Sequence, residues 1–223
     1  MESLRTALVP ILDQPAVLVG WLLLNAASLV WLLRDLRHRN PQTMGLMRWV
    51  WILTVAYSGP VGLLVYYYSG RAQIARDSLW RRAFRSLAHC YAGCGIGEII
   101  GIVVVAGILA LGALTVSTIT FALAFAAGFA LTMGPLMAEG VSAREAFRDS
   151  VVSETASITV MEVVAIGVDL WLAGEATMAQ PLFWTSLLVS LTAGLIAAYP
   201  VNVLMIRGGI KQGMGHPAEA HGH

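Results

Sequence analysis

HCYAGCGIGEIIGIVVVAGILALGALTVSTITFALAFAAGFALTMGPLMA, residues 89–138, holds a single acidic residue, Glu98, and no Lys or Arg. An apolar run of this length is two membrane spans of about 20 residues each. The uncharged Thr115 to Ser117 marks a turn so tight that the second span must return beside the first. Outward from this pair the pattern repeats. Residues 15–33 are apolar apart from Asn25 and Ser28, and they end at Arg34, Asp35, Arg37, His38 and Arg39. Residues 47–68 are entered at Trp49 and Trp51 and left at Tyr66, Tyr67 and Tyr68, the ring-rich flanks of a headgroup boundary. Downstream lie 155–173 and 181–206. The fold class this predicts is an all-α polytopic membrane protein, a single domain of about six transmembrane helices (15–33, 47–68, 89–114, 118–138, 155–173, 181–206) with a flexible tail over 207–223.

Composition agrees. Of 223 residues, 57% are hydrophobic and 12% charged, with mean hydropathy +0.72, against about 45–50% and 25% in soluble domains. An ordinary cytosolic enzyme is excluded, and the near balance of 14 basic against 13 acidic residues gives no nucleic-acid-binding surface. Two cysteines make no disulfide framework. Met1 to Gln14 lacks the basic, apolar and small-residue layout of a removable leader.

Two local features qualify the spans. Tyr57-Ser58-Gly59-Pro60 lies in the middle of 47–68, where the proline frees a carbonyl and predicts a kink that a neighbour must satisfy. Arg71, Arg76, Arg81, Arg82 and Arg85, interleaved with Leu79, Trp80, Phe84 and Leu87, predict a short amphipathic interfacial helix before the third span. In a six-span arrangement Arg5, those five arginines, Arg144, Arg148, Arg207 and Lys211 share one side, leaving Arg34, Arg37, Arg39 and Arg48 on the other. The majority side is then cytoplasmic, with both termini there, and the first loop violates the positive-inside rule. The expected setting is the cytoplasmic (inner) membrane, crossed several times.

The third span carries the candidate site. Cys90, Cys94 and Glu98 recur at i, i+4 and i+8 and form one helical stripe, and Gly93, Gly97 and Gly101 form the adjoining one. The glycines are a small-xxx-small packing pattern that draws a partner helix close. A carboxylate about 13 Å down a span needs a partner, water or a proton. Depth counting puts Met133, Met137, Met161, Glu162, Tyr199, Asn202 and Met205 level with the thiols and Glu98, with Asp169 nearer the opposite face. His, Cys, Met and carboxylate together suit a soft transition metal: copper first, zinc or iron as alternatives. Cys90, Cys94, His89, Glu98, Met133 and Met137 are the candidate ligands, with Glu162, Met161, Tyr199 and Asn202 behind them. No haem or nucleotide motif is present. Taken singly, the methionines and cysteines read equally as core filler; the buried carboxylates do not.

Three strings carry a family resemblance: HCYAGC at 89–94, YSGP at 57–60, and YPVN at 199–202 followed by RGGIKQGM. They resemble the uncharacterised bacterial integral membrane family labelled domain of unknown function 4396 (DUF4396). The resemblance implies an association with copper proteins, including multicopper oxidases, and no defined activity. It also implies that an Asp often stands where this chain has Glu98. The expected function is metal transport or delivery through an intramembrane site, with the lipid bilayer, a copper protein and a second copy of the chain as partners. A redox or cofactor-dependent membrane enzyme using the cysteine pair, and a non-metal channel or scaffold subunit, are the alternatives. Whether the chain is an enzyme stays open at this point. The tail histidines His216, His221 and His223 are a weak metal-binding string or a solvated end.

Overall fold

A computed structural model describes residues 2–43, 45–109 and 111–215, and every described element is helical. In chain order these are α1 (Glu2–Leu12), α2 (Pro15–His38), α3 (Gly45–Ser58), α4 (Pro60–Ser69), α5 (Leu79–Gly101), α6 (Ala113–Ala138), α7 (Ala143–Ala173) and α8 (Pro181–Arg207). The chain leaves α5 through a π-helical stretch, Ile102–Ile108. Five helices are long and apolar enough to cross a membrane: 15–38, 79–108, 114–138, 143–173 and 181–207.

The predicted second span is not among them. Residues 47–68 form a helical hairpin, α3 and α4, folded back on itself at Gly59, whose φ of +53° only glycine adopts freely. The proof is in the side chains. Trp51 and Tyr66 meet edge to face with ring centroids 5.3 Å apart, where a continuous helix would separate them by about 22 Å. A methyl group at Gly62 would stand 2.7 Å from the Thr54 carbonyl oxygen, so the two arms touch through backbone. The hairpin tip lies beside Trp21 and Asn25 in the first half of α2. Pro60 cannot donate to the carbonyl of Ala56, and Asn25 Nδ2 does so instead at 2.8 Å. Both hairpin ends then return to the level of the end of α2. There buried Asp35 accepts from Tyr66 (2.8 Å), Asn40 (2.7 Å) and Arg71 (3.1 Å).

The hairpin corrects the six-span reading to five candidate spans plus a hairpin, and it moves the first half of the chain. The ends of α2, α4, α6 and α8 and the starts of α3, α5 and α7 share one end of the bundle. Arg34, Arg37, Arg39 and Arg48 therefore join the other basic residues there. Of the 14 Lys and Arg residues, Arg5 alone stands at the far end, where its Nε donates to the carbonyl of Trp171 at the end of α7. The two ends of the described residues, the start of α1 and the end of α8, consequently lie at opposite ends of the bundle, against the expectation that both termini share one side.

Two helix starts also differ from expectation, each through a serine cap. Ser78 Oγ accepts the Arg81 N–H, and α5 runs unbroken from there into the apolar span, so no separate interfacial helix precedes it. Ser142 Oγ accepts the Glu145 N–H as an N-cap and its hydroxyl donates to Glu145 Oε2, so the charged stretch after α6 is already the first turns of α7. The tail is not wholly free. Residues 208–215 fold back over the basic end, where Arg85 Nε donates to the Met214 carbonyl at 3.0 Å. Beyond them His216, His221 and His223 lie outside the described residues.

α5 is the hub. Its glycine face packs on α6: a methyl at Gly93 would meet Gly128 Cα at 2.9 Å, one at Gly97 would collide with the Leu123 carbonyl, and one at Gly101 would strike Thr120. Gly95, two residues on from Gly93 and so on the opposite face of the helix, receives the ring of Tyr57 from the hairpin.

Candidate intramembrane site

With α6 against the glycine face, the neighbouring face of α5 turns to α8 and α7. Cys90 and Cys94 are each 1% exposed, and both thiols are free. The sulfur of Cys90 lies within hydrogen-bonding reach of Cys94. The thiols share one apolar cluster with Tyr91, Ile158 and Met161. Gly128 on α6 leaves the room that Cys94 and Ile158 occupy, since a methyl there would stand 3.1 Å from Cys94 Sγ. One turn deeper lie Glu98 (6% exposed) and Glu162 (1% exposed), each with an Oε2 that has no hydrogen-bond partner. The two carboxyls lie within electrostatic range of each other, and Glu98 also of Asp169. The fully buried hydroxyl of Tyr91 has the Ser58 hydroxyl of the hairpin as its hydrogen-bonding neighbour and both glutamates within electrostatic range.

Each end of this column is defined. At the basic end Lys211, on the folded-back tail, contacts both Glu154 oxygens at 2.8 and 2.9 Å and Asn202 Oδ1 at 3.3 Å. Asn202 Nδ2 in turn donates to Ser157 Oγ at 2.6 Å. At the far end Asp169 accepts from Ser186 at 2.8 Å and lines a half-open cavity of about 450 Å³ with Gly107, Ser117, Glu175, Met178 and Phe183.

Other residues singled out from the sequence fall elsewhere. His89 lies on the glycine face, its ring against the backbone of Leu131 on α6, with Nδ1 unpartnered. Met137 is 46% exposed and Met133 is partly exposed, and neither packs against the thiol cluster. Tyr199 stacks on Phe84 with centroids 3.9 Å apart, towards the basic end. Met205 is buried beside the folded-back tail, its carbonyl accepting from Ile210. The cause is the position of the α5 start: with the helix beginning at Leu79 rather than His89, Glu98 is level with Leu123 on α6, not with the methionines near its end. Among the described residues no three His, Cys, Asp or Glu side chains gather closely enough to hold a metal ion. Reading the sequence alone missed Glu154 and Lys211. The signal for Glu154 was its position on the α7 stripe with Ile158, Met161, Ala165 and Asp169.

These features define a class: a multi-pass helical membrane protein, by helix length and hydropathy, with free thiols and unpaired carboxyls buried at the centre of its bundle. A family described as a domain of unknown function (DUF4396) matches residues 79–211, more than half of the chain, and the chain belongs to it. The match runs from the first residue of α5 to the lysine that plugs the basic end. The YSGP segment, now the hairpin tip, lies outside it. No curated protein and no solved structure matches the chain.

Proposed function

We propose that this protein takes a soft monovalent cation, copper(I), from one face of the membrane to the other or to a copper protein, and that Cys90 and Cys94 hold it in transit. The observation that supports this reading is the pair of free thiols lying side by side on α5, both sealed from solvent. Thiolates are soft donors selective for copper(I). Copper(I) accepts two sulfurs alone, whereas structural zinc wants four ligands, and no third His, Cys or carboxylate joins the pair among the described residues. The geometry therefore favours copper over zinc. Met161, 2% exposed in the same cluster, adds a thioether. His89, Met133 and Met137 take no part.

The orientation follows from the charges. With the basic end cytoplasmic, all Lys and Arg except Arg5 lie inside, as the positive-inside rule requires. The N-terminus is then outside and the folded-back tail inside.

Protein purified without a histidine tag from copper-supplemented cells should carry about one copper per chain. The Cys90→Ser, Cys94→Ser double variant should reach the membrane in equal amount and lose the metal. Full occupancy in the double variant would return the thiols to packing and leave the carboxylate column as a non-metal channel or scaffold.

A further inference from the structure

We propose that the pocket between the end of α2 and the end of α4 binds the phosphodiester headgroup of an anionic phospholipid, whose acyl chains lie along the exposed face of α2. The inference does not rest on the thiols holding a metal.

The last turn of α2 carries surplus positive charge. Arg34, Arg37, His38 and Arg39 stand there with a single acid, Asp35. That acid is already taken: it is buried and accepts from Tyr66, from Asn40 and from both Nε and Nη2 of Arg71, the last two at 3.2 and 3.1 Å. Arg71 therefore cancels the Asp35 charge, and its guanidinium also lies 4.7 Å over the ring of Tyr67 on α4. The ion pairs among the described residues are Arg71–Asp35, Arg85–Asp77 and Lys211–Glu154. None of them includes Arg34 or Arg39, and both of these are exposed.

These two arginines do not stand on open surface. With Trp31, Asp35, His38 and Tyr67 they line a half-open pocket of about 460 Å³, a size usual for small-molecule sites. Its aromatic wall is fixed, because Trp31 Nε1 donates to Tyr67 Oη and so ties α2 to α4. Its rim is fixed as well, because Gln73 Nε2 donates to the Arg39 carbonyl at 2.7 Å. The only carboxylate in the wall is neutralised by Arg71, so the pocket presents guanidinium and imidazole donors with no free negative charge. An anion is the ligand this suits, and a phosphate oxygen pair matches the planar fork of an arginine.

Position makes the anion a lipid. Stepping back from Arg34 by three and four residues, Trp31, Ala27 and Leu24 share its face of α2. All three are exposed, Trp31 at 60% and Leu24 at 56%. Trp31 and Tyr67 mark the headgroup level, where such rings collect. The pocket thus opens directly onto an apolar stripe, so that cationic donors, aromatic rings and hydrocarbon surface follow one another in the same order as phosphate, glycerol and acyl chain. A soluble phosphate would use only the upper part of that sequence. Arginines beside a span attract anionic rather than zwitterionic headgroups, which selects the lipid class.

Native mass spectrometry of the full chain in detergent, titrated with phosphatidylglycerol and with phosphatidylcholine of identical acyl chains, tests this. The wild type should bind one phosphatidylglycerol at least about tenfold more tightly than phosphatidylcholine, and the Arg34→Gln, Arg39→Gln double variant should reduce that preference to about twofold or less. Arg144→Gln with Arg148→Gln removes the same charge from the same end of the bundle and should leave the preference intact. Glycerol 3-phosphate, which offers the phosphate without the chains, should not displace the lipid at equal concentration. No preference in the wild type, an equal loss in both double variants, an undiminished preference in Arg34→Gln, Arg39→Gln, or displacement by glycerol 3-phosphate would each overturn the proposal. The wild-type preference and the glycerol 3-phosphate competition need no variant, so a substitution that fails to fold leaves the test standing.

Discussion

At Gly97 the difference between a glycine that packs and one that merely occupies a helix is visible. A methyl there would run into the Leu123 carbonyl of α6, whereas nothing lies within 4 Å of one built at Gly167 on α7. Gly97→Ala should therefore destabilise the protein in detergent by about 1–3 kcal/mol through overpacking. Gly167→Ala should be neutral or stabilise by up to about 1 kcal/mol, because alanine loses less backbone entropy in a helix. Thermal unfolding midpoints of the two variants check the contrast, and equal midpoints would mean that α6 is not seated on the glycine face. The glycine stripe and the adjoining thiol stripe were both legible in the sequence, because helical periodicity alone sets which residues share a face. Which faces meet which helices was not. His89 and Cys90 are neighbours in sequence, yet the turn of the helix sends one to the backbone of α6 and the other into the central apolar cluster.

The α3–α4 hairpin is the element that sequence pattern misplaced, and the reason is physical. A segment that dips into a membrane and one that crosses it need the same apolar surface, and residues 47–68 supply enough for either. Proline explains a kink. A full reversal needs the positive φ that Gly59 provides just before it, together with Asn25 to satisfy the carbonyl of Ala56. The charge pattern held the clue: four arginines on the wrong side of a six-span arrangement are on the right side of a re-entrant one. Cap chemistry held another, since Ser142-x-x-Glu145 is a helix-start signature that moves α7 back to Ala143. In a background lacking both native cysteines, Gln42→Cys and Gln73→Cys should be labelled by an impermeant maleimide from the cytoplasmic side only, and Thr177→Cys from the outside only. Labelling of Gln42→Cys and Gln73→Cys from opposite sides would restore the sixth crossing.

Across the whole molecule, apolar residues face outward on α2, where Leu22, Leu23, Leu24, Val30 and Trp31 are all more than half exposed, as a lipid-facing surface requires. The polar groups instead line the interior from Lys211 and Glu154, past the thiols and the paired glutamates, to Asp169. Depth reasoning put Glu98 level with Glu162, and the two remain within electrostatic range because α5 and α7 both begin earlier than expected and by similar amounts, so the two errors cancel. It misplaced Met133 and Met137 because only one member of that pair of helices, α5, shifted. What remains is a column of buried polar groups with the two thiols near its centre and acids above and below them.

X-ray absorption at the copper edge, recorded on copper-loaded protein in lipid, tests the central claim most directly. A first shell made only of sulfur, lost in the Cys90→Ser, Cys94→Ser variant, is the predicted result. A shell of nitrogen or oxygen ligands, or a sulfur shell that survives the double substitution, would contradict it.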